Sequence, residues 1–149
     1  MFSNLNSMQA ARDLSGLQAR GITPVVNCTT NIECFHKGTL DYFTFDIAFW
    51  RRQAGINALE LSNFLKPVLE FIEDVINRGE SVLVHCLAGA HRAGTTGIIC
   101  LMHFEDLLSK DAVPVAKNRR PIIEPIGDFR DLLLKCDQLP RDAKNKFVL

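Results

Sequence analysis

No stretch of this 149-residue chain is long and apolar enough to cross a bilayer. Its most hydrophobic runs, residues 82–84 and 98–102, fall far short of the roughly 20 residues a spanning helix needs. Residues 1–16 are polar and mixed and show no secretory leader pattern. Charge of either sign is not in excess: 17 Lys and Arg balance 17 Asp and Glu, which argues against a nucleic-acid or membrane-surface partner. The five cysteines are an odd set with no C-x-x-C and no zinc-ligand spacing. They suit neither a disulfide framework nor a metal site, and no metal or cofactor is expected. Reduced thiols fit a cytoplasmic, or alternatively nuclear, protein, in which the Asn27-Cys28-Thr29 sequon is a chance match. There is no internal repeat, low-complexity tract or linker. At 149 residues and 47% hydrophobic composition, residues 1–149 are expected to form one domain with a real core.

Hydrophobic periodicity supplies the elements. Residues 13–20 read as a short helix stopped by Gly21, 22–28 as a strand, 29–38 as an irregular loop and 40–45 as a second strand. Leu59, Phe64, Leu65, Val68, Leu69, Ile72, Val75 and Ile76 recur at helical spacing, so 59–77 is mostly helix, with Pro67 marking a kink or a late start and Gly79 the end. Residues 81–85 form an apolar-centred strand of the kind found inside a parallel sheet. Helices follow at 94–108, 111–120 (broken by Pro121) and 128–139. This alternation predicts an α/β fold: a central, mostly parallel sheet of four to five strands with helices on both faces. Residues 1–11 are too polar for a good strand, so either the sheet is one strand short or the chain is cut from a longer one.

The chemistry concentrates in Val82-Leu-Val-His-Cys-Leu-Ala-Gly-Ala-His-Arg-Ala-Gly-Thr95. The apolar strand ends in His85-Cys86, five residues follow, and Arg92 precedes a helix-forming segment. A lone cysteine at a strand end is ordinarily buried and inert. Here the surroundings differ. Inward-pointing backbone N–H groups at a helix N-terminus stabilise a thiolate, which is the nucleophilic form, and the same groups bind phosphate oxygens. Gly89 lets the backbone turn and approach a ligand closely. Arg92 offers a planar fork matching two phosphoryl oxygens. His85 could orient the loop, and the Thr95 or Thr96 hydroxyl could reach Cys86 or cap the helix. Leu87, Ala88, Gly89, Ala90 and His91 would line the bound phosphate.

His85-Cys86-x5-Arg92 resembles the signature of cysteine-dependent protein tyrosine phosphatases, and Ala88-Gly89 with the following Arg-x-Gly-Thr resembles their dual-specificity branch. Residues 21–28, the helix ending at Gly79, and Arg119-Arg-Pro-Ile-Ile-Glu-Pro125 followed by Phe129 are similar to the family in order and spacing. The resemblance runs from about Leu14 to about Leu139. It implies a phosphatase-like fold and a two-step reaction through a Cys86 phosphoenzyme, with Arg92 binding the phosphate and stabilising the transition state. It implies phosphorylated protein substrates, kinases among them, and a monomer. An inactive or slow relative that only binds phosphoproteins is the alternative.

Three departures bear on activity. The family's Ser or Thr after the arginine, which assists the second step, is Ala93. The Ser often found before the arginine is His91. The Pro-Asn pair before the last helix reads Pro125-Ile126, which removes an expected side-chain hydrogen bond. The family's general acid is an Asp on a loop upstream of the cysteine. The usual spacing lands near Gly55, which is no acid. Asp46, at the end of the strand-like Tyr42-Phe-Thr-Phe45, is the preferred candidate for acid and base. Glu60 and the absence of any dedicated acid are the alternatives.

A loop with one potential cation, His91, disfavours polyanionic lipid headgroups. The resemblance to the dual-specificity branch, without the tyrosine-specific branch's Asn-Arg-Tyr element before the cysteine, implies a shallow pocket taking phosphotyrosine and phosphoserine/threonine. Phe49-Trp50-Arg51-Arg52 could flank it, or could amount to a buried Trp beside solvated arginines. Cys28, ending a strand of the same sheet, is the first candidate redox partner for an oxidised Cys86; Cys34 is a weaker one, and a plain packing role for Cys28 is the alternative. Cys100 and Cys136 read as core.

Overall fold

A computed structural model describes residues 5–54 and 57–149. Four strands, β1 (Leu5–Asn6), β2 (Ile22–Asn27), β3 (Asp41–Thr44) and β4 (Ser81–His85), form one sheet in the order β1-β4-β2-β3. Every pairing is parallel. The helices are α1 (Met8–Arg12), α2 (Leu14–Ala19), α3 (Trp50–Ala54), α4 (Ala58–Asn77), α5 (Arg92–Phe104), α6 (Ser109–Arg119) and α7 (Phe129–Cys136). None is long and apolar enough to cross a membrane.

Side-chain alternation divides the sheet into two faces. Val26, Val82 and Val84 face a large core with α3 to α7, whereas Val25 and Leu83 face a smaller one under α1 and α2. Burying each such aliphatic side chain contributes about 1.5–3 kcal/mol, and this fixes the register of β4.

The polar N-terminal segment does supply a strand, contrary to the expectation from its composition. β1 is two residues long and pairs at the sheet edge through its backbone, so no apolar alternation announces it. α4 runs unbroken through Pro67, which removes the late-start reading. Pro67 and Asn63 are both exposed, so the Asn63 carbonyl left without its helical donor can meet water. α5 ends before the expected position because Asp106 turns left-handed at φ 54°, a conformation Asp tolerates better than most residues. The C-terminal segment straps the molecule: Arg141 donates to the carbonyls of Met102 and Leu107, and the Phe147 N–H donates to His103 Nδ1 at 3.2 Å.

Candidate active site

All strands being parallel, their C-terminal ends share one edge. Asn6, His85, Asn27 and Thr44 stand in a single register row across the four strands. Cys86 lies one residue beyond that row, where β4 leaves the sheet and turns through residues 87–91 into α5 at Arg92. Both ends of the turn are pinned by main chain. The Met8 N–H donates to Leu87 O and the Glu124 N–H to Ala90 O, each at 3.0 Å.

Gly89 is left-handed at φ 76°, and its N–H donates to Cys86 Sγ at 3.2 Å. A Cβ there would lie 2.7 Å from the backbone of Asn6, so no other residue fits. Cys86 and Ala90 are buried, while Leu87 and Ala88 are exposed beside them. His91 Nδ1 lies 2.8 Å from Glu124 O. A carbonyl only accepts, so Nδ1 carries a hydrogen and donates it. Glu124 is held in turn by Lys117 and Arg130, at 2.5 and 3.4 Å. These cations, Lys117 first, keep its carboxyl below the usual carboxylate range.

His85 is fully buried, and burial pushes its pKa below the ordinary imidazole value. Its Nδ1 makes only a long 3.5 Å contact with Cys86 O, and its Nε2 has no partner. The two threonines do not take the role sequence allowed them. Thr95 Oγ1 donates to His91 O at 2.6 Å and Thr96 Oγ1 to Arg92 O at 2.9 Å. Each hydroxyl proton is committed one turn back along α5, and neither side chain hydrogen-bonds Cys86. Ala93 is fully buried between them and the loop.

Asp46 sits past the end of β3, two strands across from Cys86 on the same sheet edge. The turn that follows it, Ile47–Phe49, packs against α5. Asp46 Oδ2 accepts from Gln53 Nε2 at 3.2 Å. Glu60 stands at the third position of α4 behind the capping Asn57, whose Oδ1 accepts its N–H at 2.9 Å. A carboxylate there serves the helix N-terminus. Gly55 and Ile56 lie outside the described residues.

Cys28 occupies the position beside Cys86 on the neighbouring strand, and its N–H donates to His85 O at 2.8 Å. Its Sγ lies 3.3 Å from Thr96 Oγ1, and burial pushes its thiol up to about 12. The Phe49–Arg52 cluster splits. Trp50 is fully buried, and Arg51 is taken by Asp128 and Asp131 of the α7 end, at 3.2 and 2.6 Å. Phe49 remains 44% exposed, with the Arg52 guanidinium 5.3 Å from its ring centre. Where the family's Asn is missing after Pro125, Ile126 O accepts from Phe129 N and Pro125 O accepts from the Arg130 side chain, whose Nε donates at 3.1 Å.

The sequence reading missed Asn6, Gln53 and the carbonyl of Glu124. The first and last act through main chain, which leaves no side-chain signal. Among the described residues, no group of three or more His, Cys, Asp or Glu could hold a metal ion.

A buried cysteine under a glycine N–H, an arginine opening the next helix, and a parallel sheet that holds both define a cysteine phosphatase framework. The family described as "Dual specificity phosphatase, catalytic domain" matches residues 5–138, and the chain belongs to that family. Mouse dual specificity protein phosphatase 14 is 35% identical over 133 residues, which cover 89% of this chain and 64% of that protein. For mouse dual specificity protein phosphatase 2 the figures are 31% over 133 residues, 89% and 40%. The chain thus spans less than two thirds of the length of these relatives. The crystal structure of human DUSP28 superposes with a TM-score of 0.76 over 93% of both chains, at 23% identity, and shares the fold.

Proposed function

We propose that the chain is a protein phosphatase that hydrolyses phosphotyrosine and phosphoserine/phosphothreonine through a phosphoenzyme on Cys86. The observation that carries this is the Gly89 N–H aimed at Cys86 Sγ, with Arg92 opening α5 six positions on. The Cys86 thiolate attacks phosphorus in line. Arg92 and the N–H groups of residues 87–91 hold the equatorial oxygens as charge builds on them. Asp46 protonates the leaving oxygen; water then attacks the thiophosphoryl group, Asp46 takes its proton, and the thiolate departs with phosphate as product. Proton transfer of this kind contributes about 10²–10⁴-fold, most for an alkoxide leaving group. The wall of the pocket would include Phe49 and Arg52, which suits phosphoproteins, kinases among them, with acidic residues near the phosphate.

The second step has a weak point. Ala93 offers no hydroxyl, and those of Thr95 and Thr96 already donate to carbonyls. This favours a second reading, a slow enzyme that lingers on its phosphoprotein as a binding module. Cys28 is the candidate partner for oxidised Cys86. Neighbouring strands lie about 4.8 Å apart, within disulfide reach, and both side chains belong to the same core face. Peroxide would convert the thiolate to a sulfenic acid, and the Cys28 thiol would displace water from it to form the disulfide. The reading carries with it a reducing compartment, cytoplasm or nucleus, where Cys86 stays a thiol.

The test is a time course of p-nitrophenyl phosphate hydrolysis with chelator present, beside Cys86→Ser. That leaving group needs little acid assistance, so it isolates the cysteine from Asp46. Steady, Cys86-dependent turnover supports the enzyme. One burst equivalent followed by a stall supports the slow relative. Release that persists in Cys86→Ser removes the proposal.

A further inference from the structure

Arg120 is a charge without a counter-charge. It caps α6, with its N–H donating to Ala116 O at 2.9 Å, and its guanidinium lies against the phosphate loop. A Cβ built on Gly89 would stand 3.1 Å from Arg120 Nη2. Arg120 Nε is shut off from solvent and has no hydrogen-bond partner. Of the cations around it, Arg119 pairs with Glu105, and Lys117 and Arg130 pair with Glu124, whereas Arg92, which opens α5 at the same loop, is also left without an ion pair among the described residues. Among the described residues Arg120 forms no ion pair.

Arg120 as a whole is half-buried, and an Nε–H shut off from water without an acceptor carries a desolvation cost that a carboxylate partner ordinarily offsets. Here the unmatched charge rests against the loop proposed to hold the phosphate dianion. We infer that Arg120 is a positioning residue of the phosphate site, with the bound oxyanion as its counter-charge. Its field reaches the oxyanion across Gly89, adding to that of Arg92 and the loop N–H groups. The missing side chain at Gly89 thus serves twice: it lets the loop pass Asn6, and it lets the guanidinium approach. The inference rests on the phosphate-binding role proposed for the loop.

A packing role and an electrostatic role separate by ligand charge. An electrostatic contribution scales with the charge of the anion, so its fold-loss for a dianion is the square of that for a monoanion. Inhibition constants for tungstate and nitrate would be measured against p-nitrophenyl phosphate with wild type, Arg120→Met, Arg120→Gln, Arg120→Lys and Arg119→Met. Neutralising Arg120 is expected to weaken tungstate about 10-fold, ~1.4 kcal/mol, and nitrate about 3-fold. Lysine at 120 restores most of the loss, and Arg119→Met changes neither constant. The two neutral variants guard against a fold defect in one of them. Equal losses for both anions, or no recovery with lysine, would assign Arg120 to packing and overturn the inference. Failure of the wild type to bind tungstate would overturn the phosphate site itself.

Discussion

Gly89 carries three constraints at once. It is left-handed, abuts the Asn6 backbone and supplies the N–H that meets Cys86 Sγ. Gly89→Ala is therefore expected to cost about 1–3 kcal/mol of stability through strain. The Cβ would push the loop away from Asn6, and displacing the residue 89 N–H from its preorganised position should lower kcat/KM by about 10²-fold; urea denaturation and steady-state kinetics measure the two effects. Ala93→Ser probes the second step. The variant should raise the steady-state rate about tenfold, ~1.4 kcal/mol off that barrier, and leave the burst rate unchanged in stopped flow. Cys86, Gly89 and Arg92 were legible because the chemistry needs those residue types at short, fixed spacing. Asn6 and Glu124 were not, because each acts through its backbone from a distant segment, Asn6 by contact with Gly89 and Glu124 by hydrogen bonds to Ala90 and His91. The fate of Thr95 and Thr96 was hidden for another reason: a helical hydroxyl chooses between a ligand and its own backbone only once the helix is in place.

At the scale of elements, α5 links the loop to the C-terminal strap. His103, near its end, accepts from the Phe147 N–H and is pushed down to about 4, chiefly by burial and then by Lys146. The unfolded chain takes up this proton near pH 6.5, whereas the folded one holds it off to about pH 4. Stability from His103 is thus complete above about pH 6.5 and is lost as pH falls toward 4. Urea midpoints should show a loss of about 2 kcal/mol between pH 7.5 and 5, at ~1.4 kcal/mol per unit, and His103→Gln should flatten that slope. β4, β2 and α4 were readable since apolar periodicity marks elements buried against a core. β1 was not, because two residues at a sheet edge pair without any such pattern. The segment after Asp46 is a middle case: Trp50 fills the core and Arg51 joins α7, so two of its four notable residues turn out to be structural.

Over the whole molecule, a parallel sheet delivers the ends of four strands to one edge, and the site is assembled there from segments far apart in sequence. Cys86 arrives on β4, Cys28 on β2 and Asp46 past β3, with α5 presenting Arg92. The same register that builds the site sets Cys28 beside Cys86, which is what the proposed redox pairing needs. Mild peroxide should yield a Cys28–Cys86 peptide by mass spectrometry. Its formation should quicken as pH rises, because burial holds the Cys28 thiol up at about 12 and leaves little thiolate at neutral pH. A Cys86 oxidised only to its sulfenic acid would remove Cys28 from that role. The most direct test of the account is acid-quenched mass spectrometry of the protein caught during turnover of p-nitrophenyl phosphate. One phosphoryl group on the peptide containing Cys86, absent in Cys86→Ser, is the predicted result. Continued turnover with the phosphoryl group on another residue, or on none, would contradict it.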